Sequence, residues 1–427
     1  MGGSALVGPT THVQRTSYIG EEAMRRLSLL LLALVALLTS PALHAAEPGD
    51  ELRISLLTMG PGEHPFTKFG HSAIWVHDAA QLRDEVYNYG TFAFDSPTLV
   101  LDSVAGKLPY WLSVQGMGGT LRSYGEQGRS LLASELELTP GERVRLHDAL
   151  RENARPELRY YRYDYYRDNC STRIRDIIDR VLDGQLKKRP APPASMSYRE
   201  HTRRLVADAP LLYVGLDLGV GRESDTRVTV WDEAWLPERL HALFAQATVS
   251  RDGQTLPLIR SERVLLTSRF ATPRATPPNW TGYYLAAGVG IGALLAALGR
   301  SFRLAPRLAL GTSYILLGSV FGLLGCALCY LTFFSAHSAA AANYNVLLVP
   351  PWLLALLVAG IGAMRGHAGS FRIARWAALG ALGSSLLALS FHVSHTPQSN
   401  LPELAAALPL WLGVVLSTRR ISEPPWT

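Results

Sequence analysis

Apolar positions recur along this chain with three patterns, and each pattern marks a different part of it. Near the start, Arg25 and Arg26 precede an apolar run from Leu27 to Leu38, and Pro41 to Ala46 ends in small residues. A basic flank, a short apolar core and a small-residue tail are the marks of a secretory signal. The run is short for a spanning helix, which needs about 20 residues. Cleavage is expected after Ala45 or Ala46, with Met24 as the natural first residue. Beyond it, Arg53–Met59, His71–His77 and Glu85–Phe92 are short β-rich segments separated by Gly and Pro, and they read as strands. Pro140–Ala154 reads as a helix with Val144, Leu146 and Leu150 as its apolar positions. A second helix is clearer: Ile174, Ile177, Ile178 and Val181 recur at i, i+3, i+4 and i+7, with Arg and Asp between them. Lys187–Ala194 is a basic, Pro-rich loop, and Asp252-Gly253 between two apolar stretches predicts a hairpin turn.

The third pattern is continuous. Apolar stretches cover Tyr283–Leu298, Leu308–Phe334, Val346–Met364, Ile373–Val393 and Leu401–Leu416. They predict about five transmembrane helices, the first and last of them short. The chain therefore divides into an upstream extension and signal (1–46), an exported α+β domain (47–267), a linker rich in Pro, Thr and Arg (268–281) and a membrane domain (282–427).

Charge agrees with that division. The 427 residues are 48% hydrophobic and 18% charged, with a formal net charge of +6. From Thr281 onward the basic residues are Arg300, Arg303, Arg307, Arg365, Arg372, Arg375, Arg419 and Arg420, against Glu403 and Glu423. That excess equals the net charge of the whole chain. The pI near 9.2 is thus a property of membrane loops and not a sign of nucleic-acid binding. If the domain is exported, the first helix runs inward, and loops 299–307 and 365–375 and the C-terminus face the cytoplasm. All eight arginines fall there, whereas loops 335–345 and 394–400 hold no Lys or Arg. This is the positive-inside arrangement. The expected location is the bacterial inner membrane, multi-pass, with the N-terminal domain in the periplasm.

Of three cysteines, Cys326 and Cys329 lie in the second apolar stretch and read as small packing residues. Cys170 is the only one in the exported domain, so it has no disulfide partner there although its compartment is oxidising. The segment Tyr160-Tyr161-Arg162-Tyr163-Asp164-Tyr165-Tyr166-Arg167-Asp168-Asn169-Cys170 runs straight into the isoleucine helix. Cys170 is therefore at or beside a helix N-terminus, where unpaired N–H groups and the dipole favour the thiolate. A nucleophile also needs a base. His71 begins a strand after a glycine, and Asn88 stands as a candidate to orient the imidazole. From spacing alone, Cys170 as an inert packing residue remains open. His64, His71 and His77 lack a usual metal-ligand spacing, and no cofactor or metal is expected.

The stretches FGHSAIWV (69–76), YNYGTFAFD (87–95) and YRYDYYRDNCSTRIRD (161–176) resemble the signature blocks of the Lnb-type periplasmic domain family. GLDLGVGRESDTRVTVWDEAWLPERL (215–240) is similar to its later block, and the membrane part is similar too, with His337 and Asn343-Tyr344-Asn345 ahead of Pro350. The resemblance implies a circularly permuted papain-like fold (NlpC/P60-like), in which the histidine strand precedes the cysteine helix. It implies N-acylation of bacterial lipoproteins, with a membrane phospholipid as acyl donor and a lipoprotein as acceptor, Cys170 as nucleophile and His71 as base. His337, Asn343 and His395, in the two outward loops, are candidates to line the lipid entrance or touch the acceptor. Three other readings compete: a cell-wall peptidase or amidase, a phospholipase with water as acceptor, and a non-enzymatic membrane scaffold.

Overall fold

The computed structural model describes residues 1–5, 23–32, 47–251, 253–301, 303–393 and 397–418. Met1–Glu47 and Pro48–Thr427 form separate compact units. In the first, residues 23–32 are helical; the expected cleavage site at Ala45 or Ala46 lies outside the described residues.

The second unit begins with the three expected strands, β1 (Leu52–Met59), β2 (His71–Asp78) and β3 (Arg83–Thr91). They are joined by β4 (Tyr110–Gly116), β5 (Leu131–Leu136), β6 (Tyr160–Tyr161), β7 (Thr248–Arg251), β8 (Gln254–Pro257) and β9 (Ile259–Leu266). Seven of these make one sheet in the order β6-β4-β3-β2-β1-β5-β9, with every neighbouring pair antiparallel. β7 and β8 pair as the expected hairpin around Gly253; Asp252 lies outside the described residues.

Side chains alternate across the sheet, as a two-residue period requires. Leu52, Ile54, Leu56, Ile74 and Val76 point to one face and bury against the helices Pro140–Asn153 and Cys170–Val181. There Ile174, Ile177, Ile178 and Val181 form the buried stripe that the periodicity predicts. Leu57, Met59, Ala73 and Val86 point to the other face, under Met117 of the helix Met117–Glu126. β1 and β2 are central strands covered on both sides, and that is why they read as nearly continuous apolar runs.

Four helices among the described residues are long and apolar enough to cross a membrane: Thr281–Leu298, Leu304–Phe333, Tyr344–Met364 and Ala368–Ser390. The second contains a π-helical turn at Gly318–Gly322. The expected fifth, Leu401–Ser417, is an apolar helix of 17 residues, too short to count by length. It starts after Asn400 with a proline in its first turn.

The exported domain rests on the loops that lack Lys and Arg. Arg203 donates to the carbonyl of Ser399 (2.5 Å), and Asn343 Nδ2 donates to the carbonyl of Leu218 (2.7 Å). Gly221 N–H donates to the carbonyl of Ala339 (2.7 Å). Beneath these contacts Arg199 and Arg203 share Asp217 (3.0 and 2.9 Å), and Arg199 also pairs with Asp225 (2.8 Å). Ionic groups this buried persist only when paired and hydrogen-bonded. Arg300, Arg303, Arg307, Arg365, Arg372 and Arg375 lie at or near the other ends of the helices, so the structure and the charge asymmetry give one orientation.

Candidate active site

Cys170 is the first residue of its helix because Asn169 caps it. Asn169 Oδ1 accepts from the N–H groups of Ser171 (2.9 Å) and Thr172 (3.0 Å), and Thr172 Oγ1 accepts from Asn169 N–H (2.8 Å). Asn169 Nδ2 donates to the carbonyls of Tyr165 (3.0 Å) and Trp235 (2.9 Å). Its amide is thus spent on both the helix and the surrounding chain, and the position of Cys170 is over-determined. Asn169→Ala is expected to cost about 1–2 kcal/mol of stability, read as a lower melting temperature. Slower alkylation of Cys170 should accompany the loss, because the helix start loses its anchor.

The thiol is only 7% exposed. Burial pushes it up, but the charge and hydrogen bond of the His71 ring, the Ser72 backbone N–H and the Ser171 hydroxyl oppose burial and win. The Cys170 thiol lies below its ordinary value. Ser171 Oγ stands 3.9 Å from the sulfur and 3.0 Å from Ser72 Oγ, linking the cysteine helix to β2.

His71 opens β2, and Asn88 lies on the neighbouring β3. His71 Nε2 is 3.2 Å from Asn88 Oδ1, while Asn88 Nδ2 donates to the carbonyl of Val86 (3.1 Å). With its NH₂ committed there, Asn88 presents an acceptor to the ring. Nε2 therefore carries the proton, and Nδ1 is left as the basic nitrogen available to the thiol. A cysteine, a histidine and an asparagine from three separate elements meet here.

Two glycines make room for the meeting. Gly70, with φ +79°, turns the chain into β2, where a Cβ would stand 2.7 Å from the carbonyl oxygen of Met59. Gly90, with φ +86°, sits in the irregular stretch of β3 between Asn88 and Thr91. A Cβ on Gly90 would lie 3.1 Å from the Tyr163 ring and 3.7 Å from Cys170 Cβ. Gly90→Ala combines a left-handed backbone with crowding and is expected to cost about 1–3 kcal/mol. Thermal unfolding, read together with the alkylation rate of Cys170, checks it.

Tyr161 completes the surroundings. Its hydroxyl is buried without a hydrogen-bond partner, within 3.9 Å of the position a Gly90 Cβ would take. Arg173 stacks 3.5 Å from the centre of its ring and is held in turn by Asp168 (2.6 and 2.7 Å). Tyr161 also lines a cleft of about 490 Å³ together with Gly106, Lys107, Arg162 and Ala336.

Comparison with known proteins now adds to this geometry. The Lnb N-terminal periplasmic domain matches residues 41–205, and the Lnb transmembrane domain matches residues 294–422. No curated protein and no solved structure matches the chain. The chain belongs to the Lnb family. It is a multi-pass membrane protein whose N-terminal domain is periplasmic, and membership in that family points to lipoprotein processing at the membrane.

Not every candidate residue of this Lnb family member reaches the site. His337 Nε2 bonds to the carbonyl of Ser103 (2.6 Å), and Asn343 is buried against the carbonyls of Leu218 and Gly219. Both therefore fasten the loop to the domain. His395 lies outside the described residues. His64 caps the short turn Pro65–Thr67 and stacks on Phe66, and His77 pairs with Asp84 (2.9 Å). Cys326 and Cys329 are free thiols in the second span. Sequence reasoning missed Ser72, Ser171 and Tyr161, although each adjoins or lies near a residue it had marked.

Proposed function

We propose that this protein is a cysteine-dependent acyltransferase that moves a fatty acyl chain from a membrane phospholipid to the N-terminal amine of bacterial lipoproteins. The observation that carries the reading is a thiol held below its usual value at a helix N-terminus, beside an imidazole whose other nitrogen is oriented by Asn88. The order of the chain, with the histidine strand ahead of the cysteine helix, suits a permuted papain-like domain. We take residues 47–267 as the catalytic unit, 268–281 as linker and 282–427 as the anchor, with Leu401–Ser417 as its fifth helix.

In the first half-reaction His71 Nδ1 takes the thiol proton, and the thiolate attacks an ester carbonyl of the lipid. The C–O bond breaks, His71 returns its proton to the departing alkoxide, and a lysophospholipid leaves an acyl-thioester on Cys170. In the second, the neutral α-amine of a lipid-modified N-terminal cysteine attacks the thioester. A C–N bond forms and the C–S bond breaks; the amine's proton passes by way of His71 to the departing thiolate, which regenerates the thiol. Two moderate barriers replace one high one. Developing negative charge on the carbonyl oxygen needs donors. The Cys170 backbone N–H at the helix start and the unpartnered Tyr161 hydroxyl are available, and one such donor is worth about 10²–10³ in rate.

Mass spectrometry of lipoprotein N-termini, in cells with and without this protein and with no other N-acyltransferase, tests the reading. Deletion should leave lipoproteins lighter by one amide-linked acyl chain. Unchanged masses would remove the proposed acceptor. Release of free fatty acid without lipoprotein would favour a phospholipase.

A further inference from the structure

We propose that the cleft bounded by Lys107, Arg162 and Ala336, together with the helix Leu99–Ala105 below it, is the port through which a glycerophospholipid of the surrounding leaflet reaches Cys170. The phosphate sits between the two cations, and the acyl chains lie along the helix. This rests on the acyl-transfer reading above and adds to it the place where the donor binds.

The helix Leu99–Ala105 has the sequence Leu-Val-Leu-Asp-Ser-Val-Ala and buries none of its residues. Val100 and Leu101 are 72% and 73% exposed, so an apolar surface is offered to whatever surrounds it. Its level is set by the membrane domain. Ala336 N–H donates to the carbonyl of Ala105 (2.9 Å), and His337 holds Ser103, directly beyond the exposed Phe333 and Phe334 at the end of the second span. A second marker of that level is Trp280, which caps the first span and packs 4.4 Å from Tyr213. Paired aromatic rings at a helix end are typical of the membrane–water boundary. The apolar helix is therefore continuous with the lipid-facing surface of the same chain, and the outer leaflet is its occupant.

The cleft supplies the rest of a phospholipid site. Lys107 and Arg162 are both exposed, and neither forms an ion pair among the described residues. Arg162 spends one N–H on the carbonyl of Ala336 (2.7 Å), which holds the guanidinium at the cleft mouth with donors to spare. A lysine and an arginine presented together suit a phosphate. Tyr161 joins this cleft to the surroundings of Cys170: it lines the cleft, and its hydroxyl lies 3.9 Å from the position of a Gly90 Cβ that would itself stand 3.7 Å from Cys170 Cβ. Aromatic rings also pack in series from the surface to the neighbourhood of Cys170: the exposed Phe94 packs on Phe92 (4.3 Å), Phe92 on Tyr110 (5.4 Å), and Tyr110 on Tyr163 (4.3 Å), which borders Gly90.

Two measurements on the full-length protein test the port. First, the photo-crosslinking residue p-benzoylphenylalanine replaces Leu101 or, as a control, Leu82, in the turn joining β2 to β3 at the end away from His71. Irradiation of native membranes should give an adduct of phospholipid mass at position 101 and none at 82. A protein adduct at 101, or no adduct, would overturn the proposal. Second, Lys107→Gln combined with Arg162→Gln is assayed in phosphatidylglycerol–phosphatidylethanolamine vesicles. Acylation of Cys170 by vesicle lipid should fall about tenfold, while acylation by a soluble p-nitrophenyl ester, which has no phosphate, should change by less than about twofold. Equal losses with both donors, or no loss with either, would also overturn it. If the unaltered protein accepts acyl groups from neither donor, the acyl-transfer reading fails. A lipid adduct at 101 would then mark membrane contact alone.

Discussion

Cys170→Ala is expected to abolish acyl transfer, lowering the rate by at least about 10³-fold, while the protein still folds and inserts. The side chain that is lost is small, and alanine is a good residue for the first turn of a helix. Asn169 makes the cap, and its hydrogen bonds to Ser171, Thr172, Tyr165 and Trp235 do not involve the sulfur. The melting temperature should therefore stay close to that of the parent. Cys170→Ser keeps the shape but replaces the thiol by a far weaker acid, and it should be nearly as inactive. Lipoprotein N-acylation in reconstituted vesicles, followed by mass spectrometry, reads the effect. Activity persisting in Cys170→Ala would place the chemistry elsewhere and return Cys170 to the role of a packing residue.

His71→Ala should produce the second large effect, a loss of about 10²–10⁴ in rate through removal of the base. It also has a signature that a merely structural role would not give. In the parent, burial pushes the thiol up and His71 is the largest of the influences holding it down. Without the imidazole the upward push of burial remains, so the thiol's pKa must rise. The thiolate is the reactive form and is populated above that pKa. Alkylation of the Cys170 peptide, followed by mass spectrometry against pH, should therefore show its inflection below that of a free thiol in the parent. In His71→Ala the inflection moves to higher pH. Each unit of that shift lowers the reactive fraction at neutral pH about tenfold. Superimposable profiles would mean that the imidazole does not act on the sulfur.

The parts of the fold that could be read from the sequence were those whose burial is strongly periodic. β1, β2 and β3 carry the short, nearly continuous apolar runs of a sheet covered on both faces, and the isoleucine stripe of the cysteine helix has the spacing of one buried face. β9 did not stand out because it is an edge strand. Ile259–Leu266 holds Arg260, Ser261, Glu262 and Arg263 in sequence, exposed and polar as an unprotected edge should be. The tyrosine run reads most simply as a strand and its flanks, and β6 falls within it at Tyr160–Tyr161; its shortness and its pairing with Tyr110 and Trp111 are long-range matters that no local pattern encodes.

The candidate site was legible for a similar reason. Cys170 stood out as a lone thiol ahead of a marked helix, and His71 and Asn88 lay on strands that could be drawn. Ser72, Ser171 and Tyr161 escaped because their importance is purely one of position. Ser72 and Ser171 join two elements ninety-nine residues apart, and Tyr161 is one of several tyrosines in a single run. His337 and Asn343 went the other way. Their polar identity in an outward loop suggested a substrate contact, but backbone carbonyls of the exported domain occupy them.

Incubating the purified protein with phospholipid vesicles, without acceptor, and then weighing the Cys170 peptide tests the central claim most directly. The account predicts a mass gain of one fatty acyl chain on that peptide, removed by neutral hydroxylamine and absent from His71→Ala over the same interval. A Cys170 peptide that stays unmodified while the lipid is consumed, or an acyl group that survives hydroxylamine, would contradict a thioester at this sulfur.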